Sequence, residues 1–235
     1  MRILLFFLIG LCLSTNSMGQ AQGFILSGFI SDTTLKARSI VMQYTDSSGQ
    51  LRMDTALVQA QQFFFKGHIA LASRVVLLIQ PDTSIHTMAS KRVQEIRFTM
   101  ENTYAQLDIQ GVRKFQLKGS LCHEDEKKYR QVYLPMIQQL QGDTLMFRQR
   151  WIIDSFIRAM PTSYFSLILL QEKAKYAQVL GNLLEQFASM PDGFRHSLPG
   201  RLIENRIDKL SQVSIGKAAP DFVLPDMEGR SFSVS

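Results

Sequence analysis

The sequence predicts an α+β fold, with an antiparallel β-sandwich over about 23–120 followed by a helical region over about 121–212. Two observations lead to this prediction. Before Lys118, short apolar runs recur about every ten residues with turn residues between them, as in sandwiches and barrels. After Ser120 the apolar residues recur at helical spacing instead. The chain of 235 residues, 46% hydrophobic and 20% charged, suffices for one large or two small domains.

Alternation of apolar and polar residues marks the predicted strands. They cover 24–29, 40–44, 51–58, 62–69, 75–80, 93–100, 106–109 and 115–118. Residues 60–62, Ala-Gln-Gln, lack the glycine that a tight hairpin favours, so we expect a longer loop there. The phenylalanines at 63–65 predict a strand buried on one or both faces, and the alternative is that they line a ligand cavity in a barrel.

The first predicted helix begins at Ser120, which is a suitable N-cap. Acidic residues at 124–126 lie near the positive end of its dipole. Pro135 lies inside this helix and is expected to kink or split it. Residues 142–144, Gly-Asp-Thr, are expected to end it. Its apolar positions are Tyr129, Val132, Tyr133, Met136, Ile137 and Leu140.

Three further helices are expected, the last of which opens at Pro199. The second spans 145–160, the third spans 164–184 with an interruption near Gly181, and a turn at 190–193 precedes the last. The expected anchors are Phe147, Trp151, Phe156 and Ile157 in the second helix, and Leu202, Ile203, Ile207 and Leu210 in the last. Such stripes usually face the protein's own core, whereas a groove for a partner peptide is the alternative.

Residues 1–19 have the pattern of a signal peptide. Arg2 supplies the positive start, 3–13 supply a short apolar run, and Ser17 and Gly19 are the small residues before the cleavage point. We therefore expect export to the periplasm or another part of the cell envelope. Membrane association is expected only through lipidation of Cys12, which the bulky Leu11 before it disfavours.

The net charge of +6 is spread along the chain without a run of five like charges. The densest clusters are the pairs Lys91-Arg92 and Lys127-Lys128. This distribution indicates a solvated basic surface and excludes a basic stripe for nucleic acid. No internal repeat at a fixed period is present, which excludes a solenoid.

Cys122 is the cysteine that remains after the predicted cleavage, so no internal disulfide can form. The run Cys122-His123-Glu124 contains residue types of thiolate and metal sites, but neighbouring helical residues face different directions. The other histidines, at 68, 86 and 196, lie at no ligand spacing. We interpret Cys122 as a small residue at a strand-to-helix junction, with catalysis or metal binding as the alternative. No catalytic, metal-binding or cofactor-binding residue is predicted, and no cofactor.

The C-terminal stretch, 215–235, begins Ile-Gly-Lys-Ala-Ala-Pro-Asp-Phe and continues with Leu-Pro-Asp-x-x-Gly. It resembles the opening of the thioredoxin-like domain of the AhpC/TSA and TlpA/ResA class. The resemblance implies that 213–235 are the start of such a domain, truncated at Ser235 before the family's Trp-Cys-x-x-Cys. Pro220 and Phe222 would then have structural roles only. We expect this stretch to be disordered or loosely docked, because it has nothing to pair with.

The β region carries a second set of motifs. They are Phe24-x-Leu26-x-Gly28, Asp54-Thr55-Ala56, Phe63-x-Phe65-x-Gly67, Phe98-x-x-Glu101-Asn102 and Lys118-Gly119-Ser120. Over 23–120 the chain thereby resembles the domain of unknown function that often precedes thioredoxin-like domains in bacterial envelope proteins.

Together the two resemblances imply the accessory, non-catalytic N-terminal part of a periplasmic thiol–disulfide oxidoreductase. This part would position the redox domain or recognise clients. The implied partners are protein clients, the chain's own redox domain or, through dimerisation, a second copy. The alternative is a stand-alone, non-catalytic binding or scaffold protein of the envelope.

Overall fold

The computed structural model of the protein describes residues 23–81, 93–111, 114–138, 145–178, 180–213, 223–225 and 231–233. Its first strands are β1 (Phe24–Ile30), β2 (Ala37–Thr45), β3 (Leu51–Leu57), β4 (Gln62–Gly67), β5 (Ala72–Pro81), β6 (Gln94–Glu101), β7 (Tyr104–Gly111) and β8 (Lys114–Lys118). The helices are α1 (Leu121–Gln138), α2 (Leu145–Ala159), α3 (Tyr164–Tyr176), α4 (Leu183–Ala188), α5 (Asp192–Arg195) and α6 (Leu198–Gln212). Short strands β9 (Val223–Pro225) and β10 (Ser231–Ser233) follow. The predicted signal peptide and Cys12 lie outside the described residues.

The strands β1 to β8 form two four-stranded sheets that share one core. Sheet A has the order β4-β1-β7-β8, and sheet B has the order β3-β2-β5-β6. Alternate residues of both sheets point inward and meet, among them Phe24, Ile40 and Phe98. Gly28 lies beneath the ring of Phe63, where a β-carbon would come within 1.9 Å of the ring, so this strand position requires glycine. The predicted β part followed by a helical part is therefore confirmed.

The phenylalanines at 63–65 form part of β4 and alternate between the two faces of sheet A. Phe63 and Phe65 are buried in the shared core, whereas Phe64 is 52% exposed on the outer face. The expected strand is thus buried on one face. The two inward rings contact each other edge to face, with centroids 6.0 Å apart, so they fill the core rather than line a cavity.

Sheet A departs from the expected antiparallel arrangement, because β1 and β7 are parallel. The register places Ser27 opposite Gln106 and Phe29 opposite Asp108. The prediction of a purely antiparallel sandwich is therefore wrong for this pair. Hairpin neighbours must be antiparallel, but β1 and β7 are separated by the whole of sheet B, and a long connection can return in either direction.

The connection between β3 and β4 is a tight turn rather than the expected longer loop. Gln59 and Gln62 exchange backbone hydrogen bonds of 3.0 and 2.8 Å. The two residues between them, Ala60 and Gln61, have φ of +47° and +63°. Both lie in the left-handed region without being glycine, at a cost of roughly 1 kcal/mol each. The expectation was wrong because the turn bears this strain instead of avoiding it.

The helices form a second core that contains Tyr129, Phe156, Phe165, Leu170 and Ile203. Phe156 and Ile157 are buried as expected, but Trp151 is 66% exposed and Leu202 is 50% exposed. Trp151 lies five positions before Phe156, about 140° around the helix, and Leu202 is about 100° from Ile203. Val132 and Met136 of α1 are also exposed. The expected stripes were therefore too wide.

Several helix boundaries also differ from the expected ones. Helix α1 continues through Pro135 and is not split there. Helix α3 ends at Tyr176, and α4 begins separately at Leu183. The expected turn at 190–193 contains the start of the short helix α5. The expectations for 142–144 and for the side chains of Ile137, Leu140 and Phe147 lie outside the described part.

The C-terminal stretch contributes a small hairpin. β9 and β10 pair antiparallel, with Leu224 opposite Phe232, so the expectation that this stretch has nothing to pair with is wrong. Its residues 231–233, Ser-Phe-Ser, alternate polar and apolar side chains, a pattern typical of a strand with one apolar face. Pro220 and Phe222 lie outside the described residues. No helix in the described part of the chain is long and apolar enough to cross a membrane.

Candidate functional site

The junction between the sandwich and the helices is built on Glu101, the last residue of β6. Its carboxylate accepts hydrogen bonds from the Ser120 hydroxyl at 2.8 Å and from the backbone N–H groups of Leu121 at 2.8 Å and Cys122 at 3.1 Å. The Ser120 hydroxyl in turn accepts from the N–H of His123 at 3.1 Å. The predicted N-cap is therefore confirmed. A buried carboxylate from another element completes it, at the positive end of the helix dipole.

Cys122 lies at this junction, as expected, and its side chain is fully buried. Burial raises the pKa of the thiol above its ordinary range. The hydrogen bond with Thr99 opposes that effect, while the carboxylates of Glu101 and Glu126 raise the pKa further. A reactive cysteine needs an exposed and electropositive setting. This setting is neither, so the thiol is held in its protonated form.

Glu126, one turn after Cys122, is the second buried carboxylate of the junction. It accepts from Thr99 Oγ1 at 2.8 Å and from Arg130 Nη2 at 2.7 Å. His123 Nδ1 lies 3.7 Å from Glu126 Oε2, beyond hydrogen-bond distance, and is otherwise unpartnered among the described residues. Burial alone would raise the pKa of Glu126, but the nearby ring of His123 and the hydrogen bonds from Arg130 and Thr99 outweigh it and lower the pKa to about 2. This carboxylate therefore stays ionised and ties α1 to β6.

Asp125 also makes a structural contact. Asp125 accepts a hydrogen bond of 2.6 Å from Ser163, the N-cap of α3. Among the residues that the structure describes, no group of three or more His, Cys, Asp or Glu side chains could hold a metal ion. The backbone of Cys122 and His123 and the side chain of Asp125 thus belong to an arrangement that fastens β6, α1 and α3 to one another, whereas the side chain of Glu124 is exposed.

A cavity of about 400 Å³ lies beside α2, α3 and the start of α4. Its polar wall is a closed network around Lys173, whose ammonium donates to Asp154 at 2.5 Å, Asn182 at 2.5 Å and Gln186 at 2.7 Å. Asn182 and Gln186 also donate to Asp154. Because an ammonium has three N–H donors, Lys173 has none left for a ligand. We therefore assign this network to holding the three helices together.

A longer groove runs between α3 and α6, and we call it the α3–α6 groove. It combines two adjoining cavities of about 310 and 580 Å³, both of which are lined by Thr45, Gln171, Glu172 and Leu202. The first cavity also contacts the end of the sandwich, at the turn residue Gly49, at Ala70 and at the start of β5 (72–74). The groove therefore lies where the sandwich meets the helices, and sites between structural units are common places for ligands.

The α3–α6 groove combines an apolar floor with charged walls. The buried side chains of Ile168, Ala174 and Ile203 line it, and half-exposed Leu202 lies at its middle. Its charged lining residues are Arg74, Glu172, Lys175, Arg206 and Lys209. Four of these five are cations. This arrangement suits a partner that presents apolar side chains together with negative charge.

Sequence reasoning named a groove for a partner peptide as an alternative, but it did not identify these residues. Leu202 was expected in the core, and Lys175, Arg206 and Lys209 were not singled out. The signal that could have found them is the spacing on α6, where 202, 206 and 209 recur at helical intervals on one side. The contribution of Thr45 and Arg74 depends on tertiary contacts and has no local signal.

Residues 24–126 match the family described as a domain of unknown function, DUF4369. No curated protein matches the chain. The matched range covers both sheets and the start of α1, so it includes the junction around Glu101. It does not reach 213–235, where the thioredoxin-like start remains a prediction. Residues 24–126 of this chain are therefore a DUF4369 domain.

Proposed function

We propose that this chain is the accessory, non-catalytic N-terminal part of an envelope thiol–disulfide oxidoreductase, in which it recognises protein clients. The α3–α6 groove carries the proposal, because it joins an apolar floor to cations on α6, the last helix before the C-terminal stretch. Lys209 in the groove is six residues before Ile215. Even a fully extended chain separates them by no more than about 20 Å. A client in the groove would thus lie beside a domain that starts at 215.

The setting of Cys122 supports the non-catalytic part of the proposal. Thiol–disulfide exchange needs a thiolate that a disulfide can reach. Cys122 is buried and its pKa is raised, by burial first and by Glu101 and Glu126 as well. The redox step is therefore proposed to belong to a Cys-x-x-Cys in the domain that 213–235 would begin.

Two measurements test this proposal. The first reads the gene beyond the codon for Ser235, where we expect an open frame that encodes Trp-Cys-x-x-Cys. The second compares the product of that frame with a protein that ends at Ser235, in the reduction of insulin by dithiothreitol. We expect acceleration by the longer protein and none by the shorter one. Turnover by the shorter protein would show that it has an active site of its own.

A stand-alone binding or scaffold protein of the envelope is the second candidate. The same groove favours it, because partner binding does not depend on a redox domain. A stop codon directly after Ser235 in the natural gene would support this candidate and exclude the first. Export to the periplasm is proposed for both, and N-terminal sequencing of the secreted protein, expected to begin at Gln20, tests it.

A further inference from the structure

The apolar lining of the α3–α6 groove is arranged in a way that an extended peptide could use. Ile168 and Ile203 are buried beneath it, and Leu202 is 50% exposed between its two cavities. An isolated exposed leucine has no meaning by itself. Here it lies in a concave surface that continues past it on both sides, which suits alternate side chains of an extended segment.

The charged lining of the groove contains more cations than acids. Lys175 and Lys209 are exposed near one end, and Arg74 is exposed at the other end. Within the described part of the chain, none of these three forms a salt bridge. Glu172 is the acidic residue that lines both cavities. Lys175 lies over the ring of Tyr176, 5.5 Å from its centroid, a contact that leaves its charge uncompensated by an acid. The net positive charge of the groove can therefore attract an anionic partner.

Arg206 adds a partly buried donor to the same wall. Its Nη2 donates to the backbone carbonyl of Ala177, which fixes the guanidinium in place. Its Nε is buried and has no partner among the described residues. A guanidinium also suits a carboxylate better than an ammonium does, because its donors match the two oxygens.

We infer that the α3–α6 groove binds an extended acidic peptide of a protein client, with apolar side chains against Leu202 and carboxylates against Lys175, Arg206 and Lys209. This inference rests on the proposed role in client recognition and names the chemistry of the client. It favours segments in which apolar residues alternate with Asp or Glu. Basic segments are repelled by the same cations.

The test measures the binding of labelled peptides to the chain by fluorescence anisotropy. Three end-blocked peptides of about ten residues alternate leucine with glutamate, glutamine or lysine, which spans the length of a typical peptide-binding groove. We expect binding of the glutamate peptide, at least tenfold weaker binding of the glutamine peptide and none of the lysine peptide. Binding of the glutamate peptide should weaken as salt rises from about 0.05 to about 0.3 M.

Charge reversal in the groove then locates the site. The double variant Lys175→Glu/Lys209→Glu should bind the glutamate peptide at least tenfold more weakly than the unchanged protein does, and it should bind the lysine peptide. Lys127→Glu/Lys128→Glu is the matched control, because it changes the net charge equally at exposed positions of α1 outside the groove. Leu202→Asp should also weaken the glutamate peptide, and its half-exposed position lets the protein fold.

Each result decides the inference. Equal binding of the three peptides, no binding of any, or equal losses in the groove variant and the control would overturn it. The inference would also be overturned if the protein sediments as a dimer and Leu202→Asp converts it to a monomer, because a second copy would then occupy the groove. These results are separate from the test of the proposed function. A stop codon after Ser235 would exclude the redox role but not the binding of acidic peptides. Failure to bind the peptides would exclude the inference but not an open frame beyond Ser235.

Discussion

Replacement of Glu101 by glutamine tests how the helical region is fastened to the sandwich. Glu101 is 6% exposed, and its carboxylate accepts from Ser120 Oγ at 2.8 Å, from Leu121 N at 2.8 Å and from Cys122 N at 3.1 Å. Glutamine keeps the volume but removes the charge, and it turns an amide N–H₂ toward groups that are themselves donors. The cap at the start of α1 is then left incomplete.

The expected loss follows from these contacts. Hydrogen bonds to charged groups contribute about 1.5–3 kcal/mol each, and those to neutral groups about 0.5–1.5 kcal/mol. A weakening of about 1 kcal/mol at each of the two backbone bonds, with about 0.5 kcal/mol from the helix dipole, gives about 2–3 kcal/mol for Glu101→Gln. Glu101→Ala leaves both N–H groups without an acceptor. It should lower the free energy of unfolding by about 3–5 kcal/mol, a large part of the stability of a typical domain.

The assay is urea denaturation followed by far-ultraviolet circular dichroism, with Glu95→Gln as the matched control. Glu95 is also on β6, but it pairs with Arg97 at the surface, where ion pairs contribute about 0–1 kcal/mol. We expect Glu101→Gln to lower the urea concentration at the unfolding midpoint clearly and Glu95→Gln to leave it nearly unchanged. Equal effects of the two variants would refute the role assigned to the Glu101 carboxylate.

Four further predictions concern single sites. Gln61→Gly should stabilise the protein by about 0.5–1 kcal/mol in urea, because it relieves the left-handed strain of the turn, and Gly49→Ala should destabilise it, because φ is +84° and a β-carbon would lie 3.0 Å from Leu198. A loss with Gln61→Gly would contradict the two-residue turn. Glu126, whose pKa is lowered to about 2 from 4.5, stabilises the fold above pH 4.5, and this contribution of at most roughly 3 kcal/mol is lost as the pH falls through about 2. Glu126→Gln should therefore lower the free energy of unfolding at neutral pH and make it depend less on pH below 4.5. An unchanged pH dependence in this range would argue against the Glu126 contacts. Cys122 should react with iodoacetamide only after unfolding, and rapid alkylation of the native protein would show that its thiol is accessible.

The order of elements could be predicted from the sequence, because alternation and helical periodicity are local signals. The strands around Phe24 and Phe98 and the helix that begins after Ser120 all occur where these signals place them. The pairing of β1 with β7 could not be predicted, because it depends on how distant segments meet. The exposed position of Trp151 was missed for a related reason, since periodicity defines a stripe but not the neighbour that covers it.

The candidate site was less accessible to sequence reasoning than the fold. The apolar stripe of α6 was recognised around Ile203, but the assignment of Leu202 to the core depended on an unknown neighbour. Thr45 and Arg74 join the groove only because the ends of the sandwich approach α3 and α6. The buried role of Glu101 was likewise hidden, because its capping contacts with 120–122 are made between two elements.

The intact mass of the mature protein from its natural source decides whether the chain is part of an oxidoreductase. We predict a protein that begins at Gln20 and continues past Ser235 by roughly 100 residues or more, the size of a further domain. After reduction and alkylation, the added mass should correspond to three thiols, which are Cys122 and the two cysteines of the Cys-x-x-Cys. A mature protein that ends at Ser235 with Cys122 alone would contradict the accessory role in an oxidoreductase.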